Sequence, residues 1–272
     1  MKKQLNLLLI IMLVALLQAC GSGDPAEQAM KKVDTNSPNG AFLAMVQALK
    51  NNDVNAMMQS SMSPADYDKA VAEFEKAKSA PSESDKAQFA QTMGMLTGDG
   101  AVDKLMAMVS PQLEQARTQL PMLLMMGKGM VGPSIQSNPD IPDDQKESIT
   151  KLANAFIDYA SETDLVSEEI TRKAITSAVN TAKSLDMNSL DELQNMSFDQ
   201  AMGKASLVMG GVKDIMSVYG ISVDDMLDSI KVSDVVETGD TASMKLAYEF
   251  FGESFDQTVK MKKENDKWVA AQ

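Results

Sequence analysis

The sequence predicts an α+β fold, in which a mostly helical body is followed by a small antiparallel sheet at the C-terminus. Three observations predict it. Through most of the chain the apolar residues recur every three or four positions, as on one face of a helix. From Ala242 onward they alternate with polar residues, as in a half-buried strand. The turn pairs Gly239-Asp240 and Asn265-Asp266 and a break at Gly252-Glu253 separate these runs, so we expect about four short strands in a meander.

Start signals divide the helical region, residues 37–230, into separate helices. Ser37-Pro38 places a capping serine before a proline at the first helical position. Ser167 precedes another apolar-periodic run, and Ser197-x-x-Gln200 matches a capping box. Pro121 is expected to kink or break a long helical segment. Residues 132–142 contain three prolines and are expected to form the principal internal loop.

The sheet is predicted over residues 231–272, packed on the helices. Alternation on the second strand assigns its residues to two opposite faces of the sheet. The predicted buried face carries Ala242, Met244, Leu246, Tyr248 and Phe250, and on the following strand Phe255, Val259 and Met261. Ser243, Lys245, Ala247 and Glu249 are predicted to occupy the opposite face of the second strand.

The N-terminus has the layout of a bacterial export signal. Two lysines precede an unbroken apolar run over residues 7–17, which is too short to cross a bilayer as a mature helix. The stretch Leu17-Gln18-Ala19-Cys20 resembles the lipobox of bacterial lipoproteins. The resemblance implies that residues 1–19 are a signal peptide, that Cys20 is acylated, and that residues 20–36 form a lipidated tether. Gly21 after the cysteine implies an outer-membrane location facing the periplasm.

The charge of the mature chain restricts its partners. Removing the two lysines of residues 1–19 leaves 23 basic residues against 38 acidic ones, a formal charge of −15. Nucleic acid is excluded as an expected partner, because phosphate binding needs a concentrated basic surface. Anionic headgroups should likewise repel the body, so the membrane is expected to hold the protein through acylated Cys20.

Catalytic and metal-binding residue types are scarce. The chain has no histidine, and Cys20 is its only cysteine, so histidine-dependent nucleophilic machinery is excluded. Ser148-x-x-Lys151 matches one element of a serine–lysine signature whose other elements are missing. Three adjacent carboxylate pairs, beginning at residues 143, 168 and 224, are expected in first helical turns, where they complement the helix dipole. We therefore expect no enzyme, no cofactor and no metal site.

Methionine is the most unusual feature of the composition. Of the 23 methionines, 21 lie beyond residue 19, and a cluster contains Met122, Met125, Met126 and Met130. The favoured interpretation is core packing, since methionine is a common core filler. A flexible surface for an apolar ligand or partner helix is the second interpretation, and a Cu(I) site is the third. Residues 120–132 are expected to form a buried helix, the alternative being an element that contacts the membrane.

Two terminal stretches carry a further resemblance. Residues 37–59, SPNGAFLAMVQALKNNDVNAMMQ, and residues 235–272 are similar to the opening helices and closing strands of small exported domains in the nuclear transport factor two-like, cystatin-like superfamily. The resemblance implies a curved antiparallel sheet that wraps helices into a cone. Such a cone serves as a ligand pocket, an active site, or a binding or dimerisation surface.

The sequence thus favours a lipid-anchored envelope protein that acts as a non-enzymatic binding or interaction module. A carrier of an apolar ligand in a Met-lined pocket is the alternative, and an enzyme comes third. The candidate contact residues for a ligand or partner are Met122, Met125, Met126, Met130, Tyr248 and Phe250. A closed pocket would favour the carrier, whereas an exposed apolar groove would favour an envelope protein as partner.

Overall fold

A computed structural model describes residues 35–78 and 81–271, and it confirms the predicted α+β fold, with a helical body and a C-terminal meander. Cys20, the signal peptide and most of the tether lie outside the described residues. The helices are α1 (Pro38–Lys50), α2 (Val54–Ser61), α3 (Pro64–Ala77), α4 (Glu83–Thr97), α5 (Ala101–Ser137), α6 (Asp143–Glu162), α7 (Glu168–Ser184), α8 (Glu192–Asn195), α9 (Phe198–Val218) and α10 (Val223–Asp228). The strands are β1 (Lys231–Thr238), β2 (Thr241–Phe250), β3 (Glu253–Glu264) and β4 (Lys267–Ala270).

The chain divides into two compact units, each of which is discontinuous in sequence. The sheet unit comprises residues 35–41, 121–163 and 224–271 of the described chain. The helical unit comprises the described parts of residues 42–120 and 164–223. Helix α5 therefore contributes its first half to the helical unit and its second half to the sheet unit.

Antiparallel pairing joins the four strands in the order β1-β2-β3-β4. The predicted burial of alternate residues is confirmed, since Met244 and Leu246 have no exposed surface. Tyr248 pairs with Phe255 on β3, and their rings stack with centroids 4.8 Å apart. The Trp268 indole Nε1–H donates to the carbonyl oxygen of Asn36 at 3.2 Å. The last strand thus holds the start of the described chain against the sheet unit.

Two-residue turns close the last two hairpins. Asn265 and Asp266, at φ 51° and 61°, connect β3 to β4, and Phe251 and Gly252, at φ 51° and 75°, connect β2 to β3. Positive φ at both central residues is the requirement of a type I′ turn, whose twist matches that of the flanking strands. Asn-Asp satisfies it at low steric cost, whereas a bulky residue such as Phe251 is rare in this conformation.

Aromatic contacts accompany the unusual backbone of Phe251. The centroid of its ring lies 5.6 Å from that of Phe156 and 5.3 Å from that of Tyr159, and both of these residues are on α6. Lys151, also on α6, lies 3.3 Å from a carboxylate oxygen of Glu253 and donates to the carbonyl of Ser254. Helix α6 thus holds the tip of the β2–β3 hairpin by ring contacts and by a lysine.

In the helical unit, α7 and α9 approach very closely. A Cβ placed at Gly211 of α9 would lie 2.0 Å from Oγ1 and 2.8 Å from Cβ of Thr181 on α7. Ala174 and Ala182 on α7 and Met209 on α9 are buried. Small residues on both helices therefore bring the two backbones together, and larger side chains fill the space around the contact.

Two of the predicted helix starts carry the expected capping bonds. Ser167 Oγ accepts from the backbone N–H of Ile170 at 3.5 Å. Ser197 and Gln200 complete a capping box: Ser197 Oγ accepts from Gln200 N at 3.2 Å, and Gln200 Oε1 accepts from Ser197 N at 2.8 Å. These bonds satisfy backbone donors that the first helical turn leaves without partners.

The helix expected to kink or break at Pro121 does not break there, and the loop predicted over residues 132–142 is confined to residues 138–142. Helix α5 continues through Pro111, Pro121 and Pro133 and ends at Ser137. A proline removes the bond to the carbonyl four residues earlier. Here each proline and the residue four positions before it, Ala107, Arg117 or Gly129, are exposed. Water can therefore hydrate the carbonyls that lose their helical donor, which lowers the cost of each proline.

Candidate binding surface

The second half of α5 packs on α6 through glycine. A Cβ placed at Gly127 would lie 3.6 Å from Cδ1 of Ile157, and one at Gly132 would lie 3.7 Å from Cγ2 of Thr150. The two helices run antiparallel, since the higher-numbered residue of α5 faces the lower-numbered residue of α6. A methyl group at either glycine would therefore make only ordinary van der Waals contact with α6, which shows that these two positions of α5 face α6.

An ion pair and one buried residue complete this packed side. Lys128 Nζ donates to Asp158 Oδ1, one residue beyond the contact of Gly127 with Ile157. Ile135, two turns further along α5, is buried. The lysine that interrupts the apolar stretch therefore has its charge paired on the side of the helix that faces α6.

The other side of the same helical segment is open. We call this set of exposed apolar side chains the methionine surface: Met122 (57% exposed), Leu123 (56%), Met125 (73%), Met126 (50%) and Met130 (61%). At 3.6 residues per turn these positions fall within an arc of about 160° and span about 12 Å along the axis. The structure thus places all four methionines of the predicted cluster on one face of one helix.

The methionine surface lies in the longest stretch of the chain that lacks a carboxylate. Residues 115–139 contain no Asp or Glu, although the whole chain has 38. Apart from Lys128, whose charge is paired with Asp158, residues 120–132 carry no side-chain hydrogen-bonding group. An apolar face that neither bears acid nor offers hydrogen bonds suits an apolar binding partner.

Residues 120–132 are helical as expected, but the expectation that this helix is buried was wrong. Apolar residues occur all round this segment, a pattern that is typical of a helix enclosed by other elements. In the sheet unit, however, Gly127, Gly132 and Ile135 are the residues turned to α6, and the opposite face of α5 stays exposed. Periodicity could not separate the two faces, because both consist largely of apolar residues.

Tyr248 and Phe250 occupy the same unit but different surroundings. Tyr248 is 5% exposed and stacks on Phe255, so it belongs to the core of the sheet unit. Phe250 is half-buried, and its ring lies 4.1 Å from that of Phe251. Neither is one of the exposed side chains that form the methionine surface. Sequence reasoning missed Leu123, although its spacing of three residues from Met126 and seven from Met130 places it on the same helical face.

The carboxylate pairs lie in first helical turns. Lys146 donates to Asp143 at 2.7 Å and lowers the pKa of that carboxyl. Lys173 likewise donates to Glu169 at 2.7 Å and lowers its pKa. These partners hold the two carboxyls in their charged forms, which is the opposite of the raised pKa that a general acid needs near neutral pH.

The serine–lysine signature is also explained by packing. Lys151 of α6 is directed to the β2–β3 hairpin, where its Nζ lies 3.3 Å from a carboxylate oxygen of Glu253 and 5.0 Å from the ring centroid of Phe255. The Lys151 ammonium therefore has its partners in the hairpin, and none of these contacts involves Ser148. The contact with Phe255 is a cation–π interaction.

A cleft of about 430 Å³ in the helical unit is a second candidate binding site. Its lining includes Asn51, Asn52, Asn180, Thr181, Ser206 and Asp214. Several of these groups already have partners within the unit: Thr181 Oγ1 donates to the carbonyl of Ser177, and Ser206 Oγ accepts from the N–H of Val54. Most residues that line the cleft are polar and none is a methionine, unlike the Met-lined pocket expected of the carrier.

Within residues 35–78 and 81–271, no group of three or more acidic or cysteine side chains is arranged to hold a metal ion. None of the helices in that part of the chain is long and apolar enough to cross a membrane. No family model, curated protein or solved structure matches the sequence or the fold. The superfamily resemblance of the two terminal stretches stays a prediction.

Proposed function

We propose that this protein is a lipid-anchored, non-enzymatic interaction module of the bacterial outer membrane, which faces the periplasm and binds an apolar partner through the methionine surface. The observation that carries the proposal is the asymmetry of α5. One side of residues 121–137 packs on α6, while the opposite side exposes five large apolar residues in a single arc. Contiguous exposed apolar side chains of this kind mark interaction surfaces.

The side chains of this surface fit a binding role better than a catalytic one. Methionine is unbranched and polarizable, so a row of methionines can adapt to partners of different shape. The surface carries no acid, base or nucleophile, and the chain has no histidine with which to build one. The carrier of an apolar ligand is the weaker alternative, because the described cleft has a polar lining and the methionines lie outside it.

The anchor rests on the lipobox resemblance around Cys20. The mature chain carries a formal charge of −15, so its general surface is not suited to the anionic lipids of a membrane. Acyl chains on Cys20 would hold it there, since two or more chains give stable anchoring. The predicted tether ends at Asn36, whose carbonyl oxygen accepts a hydrogen bond from Trp268. Both residues belong to the sheet unit, which also contains the methionine surface.

Site-specific photo-crosslinking in living cells tests the proposal. A photoreactive amino acid replaces Met126, and the cells are irradiated before the protein is isolated from the membrane fraction. We expect adducts with a lipid or a protein at this position, because its side chain is half exposed at the centre of the arc.

Val236 supplies the matched control. It is an apolar residue of the same unit, 57% exposed, and lies on β1 instead of α5. The same photoreactive residue at position 236 should give few adducts. Equal yields at the two positions, or none at either, would contradict a binding role for the methionine surface.

A further inference from the structure

We infer that the apolar partner of the methionine surface is the phospholipid surface itself, which this face of α5 enters to the depth of its side chains. The inference rests on the proposed function and names its partner. Acyl chains on Cys20 would then hold the protein to the bilayer, and the methionine surface would fix which side of the sheet unit faces the lipid.

The first argument is the charge of the chain. The mature chain has a formal charge of −15, so anionic headgroups repel it as a whole, and its charged side chains are costly to place in the low-dielectric interior of the bilayer. The methionine surface lies in the acid-free stretch 115–139, and its nearest cation, Lys128, is paired with Asp158. It is therefore a face that can approach lipid without bringing an unpaired charge with it.

The second argument is the lack of directional groups. Protein–protein interfaces commonly carry about one hydrogen bond per 100–200 Å². The side chains of residues 120–132 offer no donor or acceptor other than paired Lys128, and Gly129 lies within the exposed arc with nothing within 4 Å of its Cβ position. A partner that requires neither hydrogen bonds nor a fixed shape suits this face, and acyl chains are such a partner.

The third argument is reach. Residues 20–36 separate the proposed acylated cysteine from Asn36, and a fully extended chain of this length spans at most about 55 Å. A tethered contact is intramolecular, so even a weak affinity for lipid gives high occupancy. We therefore expect a small apolar face to stay in contact with lipid where an untethered helix would dissociate.

The test places a fluorescent reporter on the surface of the acylated protein. The chain is purified from membranes, and mass spectrometry establishes its acyl groups. Variants M126W and V236W are then reconstituted into vesicles of phosphatidylethanolamine and phosphatidylcholine with or without bromine-labelled acyl chains, which quench tryptophan on contact. Native Trp268 is 2% exposed and supplies a constant background.

We expect the emission of the tryptophan at position 126 to shift to the blue and to lose most of its intensity with brominated lipid. The tryptophan at position 236 should keep its emission. The variant M130W, on the same face, is the second reporter should M126W fold poorly. Unquenched emission at positions 126 and 130, or equal quenching at position 236, would overturn the inference.

A charged substitution separates insertion from mere proximity. Adding Met122→Glu to the M126W chain should abolish the blue shift and the quenching, because a carboxylate in the arc must stay hydrated. Adding Val236→Glu to the M126W chain should leave both unchanged. Equal effects of the two glutamates would contradict insertion of this particular face.

Lipid charge gives an independent readout. Adding phosphatidylglycerol at low salt should reduce the quenching of M126W, because the acidic body is repelled, and raising the salt concentration should restore it. A basic amphipathic helix would respond in the opposite direction. Enhanced quenching with phosphatidylglycerol would therefore contradict an apolar mode of contact.

The inference and the proposed function fail in different ways. Protein adducts from the photoreactive residue at position 126, together with no lipid quenching, would leave the interaction module standing and refute its lipid partner. If such an adduct has twice the mass of the chain, the partner is a second copy. Neither adducts nor quenching would refute both proposals, while a chain without acyl groups would refute the anchor alone.

Discussion

Leu246 and Lys245 are neighbours on β2 whose side chains have opposite surroundings. Leu246 has no exposed surface, whereas the Lys245 ammonium forms an exposed ion pair with Asp234 at 2.7 Å, which raises the pKa of the lysine. Alternation in the sequence was sufficient to predict this difference, because successive side chains of a strand point to opposite faces. The register of β2 against β3 agrees, with Tyr248 paired to Phe255 across the buried face.

Truncating Leu246 to Ala should lower the free energy of unfolding by about 2–5 kcal/mol, as for other buried leucines, because it leaves a cavity in the sheet unit. Lys245→Ala is the matched control, and its unfolding midpoint should stay close to that of the parent chain, since exposed ion pairs stabilise little. Urea unfolding followed by Trp268 fluorescence reports on the sheet directly. A larger loss for Lys245→Ala would mean that the two faces are reversed.

Phe251 shows a limit of sequence reasoning at the scale of single residues. The sequence predicted a break at Gly252, yet gave no sign that a phenylalanine would adopt positive φ beside it. The rings of Phe156 and Tyr159 lie against Phe251, and both are more than 90 positions away in the chain. Local turn preference cannot anticipate a contact at such separation.

Among the elements, the strands were more predictable than α5. The alternation that defined β2 and β3 reports directly on burial, because one face is apolar and the other is not. In the second half of α5 the apolar residues occur all round the helix axis. Periodicity therefore predicted a helical segment there but could not indicate which of its faces is packed. The positions of Gly127 opposite Ile157 and of Gly132 opposite Thr150 identify that side. Exposure of the methionines follows from tertiary packing, which the local pattern does not encode.

The contact between α7 and α9 gives a sharper test at the element scale. In Gly211→Ala the new Cβ would overlap Thr181, with atoms 2.0–2.8 Å away, so the helices must separate. We expect a loss of about 1–3 kcal/mol, typical of overpacking. In Gly203→Ala, on the same helix, the Cβ meets nothing within 4 Å. That variant should gain about 0.5–1 kcal/mol from helix propensity alone.

Thermal or urea unfolding monitored by far-ultraviolet circular dichroism measures both glycine variants. Adding Thr181→Ala to Gly211→Ala removes Oγ1 and Cγ2 of the threonine, which are two of the three overlapping atoms, and should recover part of the loss. Equal effects of Gly203→Ala and Gly211→Ala would show that backbone propensity, not the approach of α7, decides the outcome.

At the scale of the whole molecule, two features bear in different ways on the proposed membrane association. The acidic body opposes association with anionic lipid, and the methionine surface offers one acid-free apolar face. A face of five apolar residues is small for a chain with this charge, so we expect retention at a membrane to need the proposed covalent anchor as well. The lone cysteine in the sequence fits that requirement, because an exported chain with one cysteine cannot form an internal disulfide.

Replacing Cys20 with Ser should therefore release the protein from the membrane fraction, or leave it uncleaved with its signal peptide attached. Fractionation of cells, followed by mass spectrometry of the N-terminus, distinguishes the two results. Met126→Glu in the otherwise unchanged chain should stay in the membrane fraction, since the acyl chains alone suffice for retention. Membrane retention of the Cys20→Ser chain with a mature N-terminus at another residue would contradict acylation of Cys20. Release of the Met126→Glu chain would instead mean that the methionine surface, not the cysteine, is the main attachment.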